Sequence, residues 1–210
     1  LARLCVRSAY EAGARDVLVN WSDNAVSRSR MELADEAALT DFKSWQLRRY
    51  LDYAESEGGV CVLHLLADDP EVYAGLDGGK ISRVNAANRK FMEPWRGYTM
   101  NDRVQWSIAA MPSVPWAKKM FPELDTDAAM EKLWQLIFDV CRVTGGDPVH
   151  AWKEHLDRLT VLRDKMNAFD LESVHFRSSN GTDLTVGLAE DARWESAASK
   201  SEKGVVFLPN

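Results

Sequence analysis

Residues 1–210 predict an α/β fold, an open and largely parallel sheet with helices on its faces plus an antiparallel hairpin near the C-terminus. Three observations point there. Short runs rich in valine, isoleucine and leucine, at 16–21, 60–67 and 103–110, alternate with segments of helical spacing through the first two thirds of the chain, the pattern of strands joined by helical crossovers. Two more strand-like runs, 171–177 and 183–188, flank Asn180–Gly181, the strongest short hairpin signal. Hydrophobic residues at 46% and charged residues at 28% match a globular chain and exclude disorder and collagen-like repeats.

In chain order, Leu4, Ala9 and Ala12 followed by Gly13 read as a helix ended by a glycine. Residues 16–21 are apolar on both faces and read as a buried strand. Residues 32–39 and 44–57 read as helical, the second with Trp45, Leu51 and Ala54 on one stripe and Gly58–Gly59 as its stop. Residues 60–67 form the second buried strand, after which Asp69–Pro70 starts a short helix. Residues 81–92 are helical, 103–110 the third strand, and 115–121 a brief helix fenced by prolines. Residues 128–143 carry Met130, Leu133, Trp134, Ile137 and Cys141 at helical spacing. Asp147 caps the next helix and Pro148 takes its first turn, with Val149, Trp152, Leu156, Leu159 and Leu162 as the inward face. The closing run 205–208 is strand-like. No internal repeat, low-complexity tract or linker is visible.

A chain of this size is expected to bury about 70% of the surface its unfolded form exposes, without disulfide staples. The net charge of −6 argues against a nucleic-acid or anionic-membrane surface. The longest apolar stretch, 60–67, is far too short to span a bilayer, and there is no signal peptide, so a cytoplasmic location is expected. Cys5, Cys61 and Cys141 are odd in number and each lies in an apolar run, as reduced, buried thiols do. Eight tryptophans imply a heavily aromatic core. The chain opens at Leu1 inside a helical pattern and closes on Pro209–Asn210 straight after a strand, so it reads as a piece of a longer protein.

Chemistry is hard to find. The string from Gly75 through Gly78-Gly79-Lys80-Ile81-Ser82 looks like a phosphate loop. Its glycine-to-lysine spacing is one residue short, however, and Ile81 stands where a magnesium-binding hydroxyl belongs, so it reads as a helix-terminating turn. No nucleophile elbow occurs, and no cysteine has a nearby basic partner. His150 and His155 on one helix are about 140° apart around its axis, the wrong spacing for a zinc pair. His64 and His175, on strands, read as satisfied core imidazoles. Asp23, Asp68 and Asp69 follow predicted parallel strands, where open sheets bind ligands and Mg²⁺ could be held. The competing reading makes Asp69 a helix cap and Asp23–Asn24 a plain loop. On residues alone the chain is an α/β domain without a recognisable active centre.

Several strings in order do carry a resemblance. Arg7-Ser-Ala-Tyr-Glu-Ala-Gly-Ala-Arg15, Val17-Leu-Val-Asn-Trp21 and Asp23 come first, then Asp69-Pro70, Gly75-Leu76-Asp77 and residues 106–112. Trp116-Ala-Lys118, Phe121-Pro122, Leu133-Trp134, Asp147-Pro148, Trp152, Leu159 and His175-Phe176 follow. Gly181-Thr-Asp-Leu-Thr-Val-Gly-Leu188, Trp194 and Gly204-Val-Val-Phe-Leu-Pro-Asn210 complete the set. Together they resemble the aminopeptidase T/aminopeptidase S family of metallopeptidases along essentially the whole chain.

The resemblance implies the N-terminal domain of a cytoplasmic exopeptidase that removes N-terminal residues from peptides with two divalent metal ions (Zn, Co or Mn). It further implies that the metal ligands and the general-base glutamate lie in a C-terminal domain beyond Asn210, and that the family's first strand precedes Leu1. No catalytic or metal residue of the family therefore maps onto this chain, and the substrate-binding residues are unknown. The implied partners are peptide substrates, the chain's own C-terminal catalytic domain and a second copy in a homodimer, with no nucleic acid and no membrane. The expected role is to wall the substrate cavity and support the dimer. A non-catalytic α/β binding or assembly module is the alternative, and a Mg²⁺ phosphoryl-transfer domain built on the three aspartates is a third.

Overall fold

The computed structural model describes residues 1–209; Asn210, the end of the last string above, lies outside the described residues. Helix α1 (Ala2–Glu11) ends at Gly13, whose φ of +96° supplies the left-handed turn that reverses the chain. The next segment, 16–21, is not a strand. It pairs with no neighbouring strand; the Val17 N–H donates to Asp16 Oδ1 and Tyr10 Oη instead, and Arg49 donates to Asn20. Trp21 is 76% exposed.

Where the pattern gave a single helix at 32–39, two helices form, the first of them starting well before it. Helix α2 (Asn24–Leu33) starts at Asp23, and α3 (Glu36–Thr40) follows a break in which Ala34 and Asp35 are both extended. Helix α4 (Ser44–Ala54) stops three residues earlier than the pattern indicated, at Ala54 rather than Glu57, with Gly59 at φ +71° beyond it. Strand β1 (Cys61–Leu66) leads into consecutive turns over 70–75 in place of a short helix; their hydrogen bonds close three residues back, from Val72 to Asp69 and from Ala74 to Glu71. Helices α5 (Gly78–Phe91) and α6 (Glu93–Met100) follow, the second unforeseen and carrying Pro94 in its first turn. Strand β2 (Gln105–Ala110) precedes α7 (Val114–Met120), α8 (Thr126–Val140) and α9 (Pro148–Ala168). Strands β3 (Ser173–Arg177) and β4 (Asp183–Gly187) form the expected hairpin, and β5 (Ser199–Lys200) pairs with β6 (Val206–Phe207).

The fold is mixed α/β. β1 and β2 are parallel, in register from Cys61 opposite Gln105 to Leu66 opposite Ala110. The hairpin and the β5–β6 pair are antiparallel. Beyond β6, the Pro209 carbonyl accepts from the Ile108 N–H, so the closing run reaches the edge of β2.

The core is divided. One cluster gathers Met31, Leu39 and Val84 from α2, α3 and α5 against Tyr73, Leu76 and Ile81. A second seals Ala117, Ala129 and Leu133 between α7 and α8, each 0% exposed, under Trp116, Phe121 and Ile137. Of the tryptophans among the described residues only Trp95 is buried, flanked by Tyr50 at 5.3 Å and Tyr98 at 6.2 Å between ring centres. The aromatic core foreseen from composition is therefore small. Cys61 is exposed, and Cys5 and Cys141 are half-buried, so the cysteines are not core thiols.

Helix α9 and strand β4 have no buried residue; of the inward face read from the pattern, Trp152, Leu156 and Leu159 are half-buried, whereas Val149 and Leu162 are exposed. The chain keeps 15175 Å² of accessible surface. A compact protein of its 23.7 kDa exposes about 9,800 Å². The burial expected of a self-sufficient core is not reached.

Candidate functional site

The carboxyl ends of β1 and β2 bring the three aspartates of interest into one neighbourhood. After β1, the Ala67 carbonyl accepts from the Asn24 side-chain amide at 3.4 Å, which ties the start of α2 to the strand end. The Asp68 carbonyl accepts from Ser113 Oγ at 2.8 Å, and that same oxygen accepts from the Trp116 N–H to cap α7. Met111 N–H donates to the Leu66 carbonyl at 2.7 Å, and Lys119 pairs with Glu71 at 2.8 Å across the two loops. The loops after both strands are thereby locked to each other. Ser113 and Asn24 do this joining, and sequence reasoning missed both; a serine three residues before Trp116, with Pro115 in the first turn, was the readable cap signal.

The carboxylates of Asp23 and Asp69 are spent on backbone. Asp23 Oδ1 accepts from the Val26 N–H at 2.9 Å and caps α2, so Asp23–Asn24 is not a plain loop. Asp69 Oδ1 accepts from the Glu71 N–H at 2.8 Å and holds a turn rather than a helix. Among the described residues, no three His, Cys, Asp or Glu side chains gather closely enough to hold a metal ion.

The glycine-rich string lies at the beginning of a helix, which corrects its reading as a terminating turn. Gly75 takes φ +80°, and Asp77 Oδ1 accepts from the Gly79 N–H at 2.8 Å, so a carboxylate of the chain itself fills the N-terminus of α5 where a phosphate would have to sit. Lys80 donates to the Ala34 carbonyl at 2.7 Å and is turned away from that terminus. Arg83 grips Glu36 with two bonds of 2.8 Å. The hydrogen bond from Arg83, aided by its charge, holds the Glu36 carboxyl below the usual range, and the Arg83 guanidinium is raised in turn.

The histidines are scattered. His64 lies exposed on β1, opposite Ile108, and is no core imidazole. His175, exposed on β3, meets Asp183 Oδ1 at 2.6 Å, while Arg177 donates to the other oxygen of that carboxylate. His150 lies 3.3 Å from Glu154 on the outer surface of α9. His155 stands edge-on to Trp152 with Arg158 3.1 Å from its Nδ1. Partial desolvation, then the charges of Arg142 and Arg158, push its pKa below the ordinary value. None of these rings faces another across a shared space.

The α/β scaffold locks its strand-end loops together, and among the described residues it assembles no group of side chains that could hold a metal ion. Comparison with known proteins identifies the class. The family model described as thermophilic metalloprotease (M29) matches residues 1–210, and the chain belongs to that family. It is 36% identical to aminopeptidase PepS of Streptococcus thermophilus over 100% of this chain and 50% of that protein. It is 34% identical to aminopeptidase T of Thermus aquaticus over 99% of this chain and 50% of that protein. The solved structure of wild-type AmpT from Thermus thermophilus superposes with a TM-score of 0.88 at 30% identity, over 99% of this chain and 50% of that one. The chain spans about half the length of the curated relatives it matches.

A metalloprotease family implies divalent metal, and the described residues of this chain do not fit one. The Asp23 and Asp69 carboxylates are consumed by backbone N–H groups, and the four histidines lie on β1, α9 and β3 without convergence. No helix among the described residues is long and apolar enough to cross a membrane.

Proposed function

We propose that this chain is the N-terminal, architectural half of a metal-dependent aminopeptidase that hydrolyses N-terminal residues from peptides. The observation that carries the reading is the end-to-end family match, together with relatives named as aminopeptidases that are each about twice as long. In this reading two divalent ions (Zn, Co or Mn) are held by the remaining half of the polypeptide, and residues 1–210 wall the substrate cavity and support a homodimer in the cytoplasm. The acidic balance of the chain, −6 overall, suits a partner set of peptides rather than nucleic acid or anionic membrane. Residues 1–210 contribute no catalytic group and are inactive alone.

The test is hydrolysis of an amino-acid p-nitroanilide by the longer protein and by residues 1–210, each with and without added Zn²⁺, Co²⁺ or Mn²⁺. The longer protein is expected to be active, to lose activity to a chelator and to regain it with metal, while residues 1–210 stay silent throughout. Activity in residues 1–210, or none in the longer protein under any metal, overturns the proposal.

A further inference from the structure

The surface of this chain is larger than a self-contained fold allows, and α9 is where that surplus takes its most definite form. Val149 is 81% exposed. Trp152 and Leu156 lie on the same face of the helix, and with Pro148 and Leu208 they line a groove of about 500 Å³. Lys153 and Asp157 flank it with one charge of each sign, so its chemistry is apolar and gives no charged ligand a foothold. Further along α9, Val161 and Leu162 are exposed as well. An amphipathic helix of this length ordinarily has its apolar face covered, and here that face has no buried residue.

We infer that the Val149–Trp152–Leu156 face of α9 is the seat of the chain's own second half, the stretch by which its relatives exceed it. The inference rests on the reading that residues 1–210 are half of a longer aminopeptidase. Two observations select that occupant over a second copy of the chain. The surface in excess of a compact fold is about 5,300 Å², whereas a standard interface takes about 800 Å² from each partner. A single twofold contact would leave most of the excess bare, and a polypeptide of equal length can cover several faces. The groove also contains Leu208, so residues that follow it in a longer chain depart from the groove itself.

The experiment uses the longer protein with Cys5, Cys61, Cys141 and every cysteine of the second half replaced by Ser, and a single reporter introduced as Val149→Cys. Maleimide labelling is timed in the native state and in guanidinium chloride. Burial predicts native labelling at least about tenfold slower than unfolded labelling, at every protein concentration. Labelling at the unfolded rate overturns the inference. Protection that disappears on dilution also overturns it, and assigns the face to a second copy. Lys153→Cys, at the rim of the groove, gives the same reading should Val149→Cys fail to fold. Hydrolysis by the same samples separates the two ideas. A protected but inactive protein retains the docking face and refutes the aminopeptidase reading. An active protein that labels freely does the reverse.

Discussion

Helices α8 and α9 carry apolar residues at the same helical spacing and have opposite surroundings. On α8, Ala129 and Leu133 are sealed against Ala117 of α7, a helix that ends only a short turn earlier in the chain. On α9, which is longer, no residue is buried. Both helices begin on an aspartate that accepts a hydrogen bond from the third residue onward, Asp125 from the Ala128 N–H and Asp147 from the His150 N–H. The contrast therefore lies not in how the helices form but in what covers them. Periodicity dictates which side of a helix must be dry; it carries no information about where the covering atoms come from.

The sharpest way to break this comparison is to hollow out the covered side. Leu133→Ala in the longer protein is expected to cost about 2–5 kcal/mol, because the sealed α7–α8 contact cannot collapse around the missing methyl groups. Urea denaturation reads this directly, and a loss within the noise of the assay would put α8 on the same footing as α9. The caps probe the half of the comparison in which the helices should agree. Asp125→Ala and Asp147→Ala should each cost about 0.5–2 kcal/mol, since a cap is a local bond. A much larger loss for one would mean that its helix end does more than start a helix.

The hairpin offers a smaller test in an uncovered region. Gly181 takes φ +95°, with nothing near the place a Cβ would occupy. Gly181→Ala should therefore cost about 1 kcal/mol from backbone strain alone. A neutral result in thermal melts would show that the turn relaxes freely.

The smallest expected effect is electrostatic. His155 is held below its ordinary value by partial desolvation and by Arg142 and Arg158, so the folded chain binds its proton less tightly than the unfolded chain does. Its contribution to stability is complete above the ordinary imidazole pKa and is lost as pH falls from there through the depressed folded value. Arg158→Gln should move the ring's NMR titration upward toward the ordinary value. An unmoved titration would leave desolvation and Arg142 as the only causes.

What could be read from sequence follows the same division. Asp147–Pro148, Asn180–Gly181 and Gly13 are local signals whose physics is complete within a few residues, and α9, the hairpin and the end of α1 form where they indicate. The strand reading of 16–21 failed because a strand needs a neighbour, which no property of those six residues reveals. Helix α2 was missed because Asn24-Ala-Val-Ser-Arg-Ser-Arg is polar enough to pass for a loop; only the cap at Asp23 distinguishes it. The burial of Cys61, His64 and Leu162 was overestimated for one reason: an apolar neighbourhood in sequence is not yet a neighbour in space. Of the three aspartates, Asp68 and Asp69 do follow a parallel strand, Asp23 follows no strand, and the carboxylates of Asp23 and Asp69 serve the backbone.

The parallel pairing of β1 with β2 has a temporal side. Cys61 and Gln105 face each other although 44 residues separate them. At a synthesis rate of about 5–20 residues per second, β1 leaves the ribosome about 2–9 seconds before its partner exists. During that wait its backbone donors and acceptors have water as their only company, while α5 and α6 emerge and can coil on their own within microseconds. In that interval helical turns of α5 and α6 come and go while the sheet is still a single unmatched strand. Ribosome-associated chaperones that shield extended apolar segments would find their target at 61–66 in that interval.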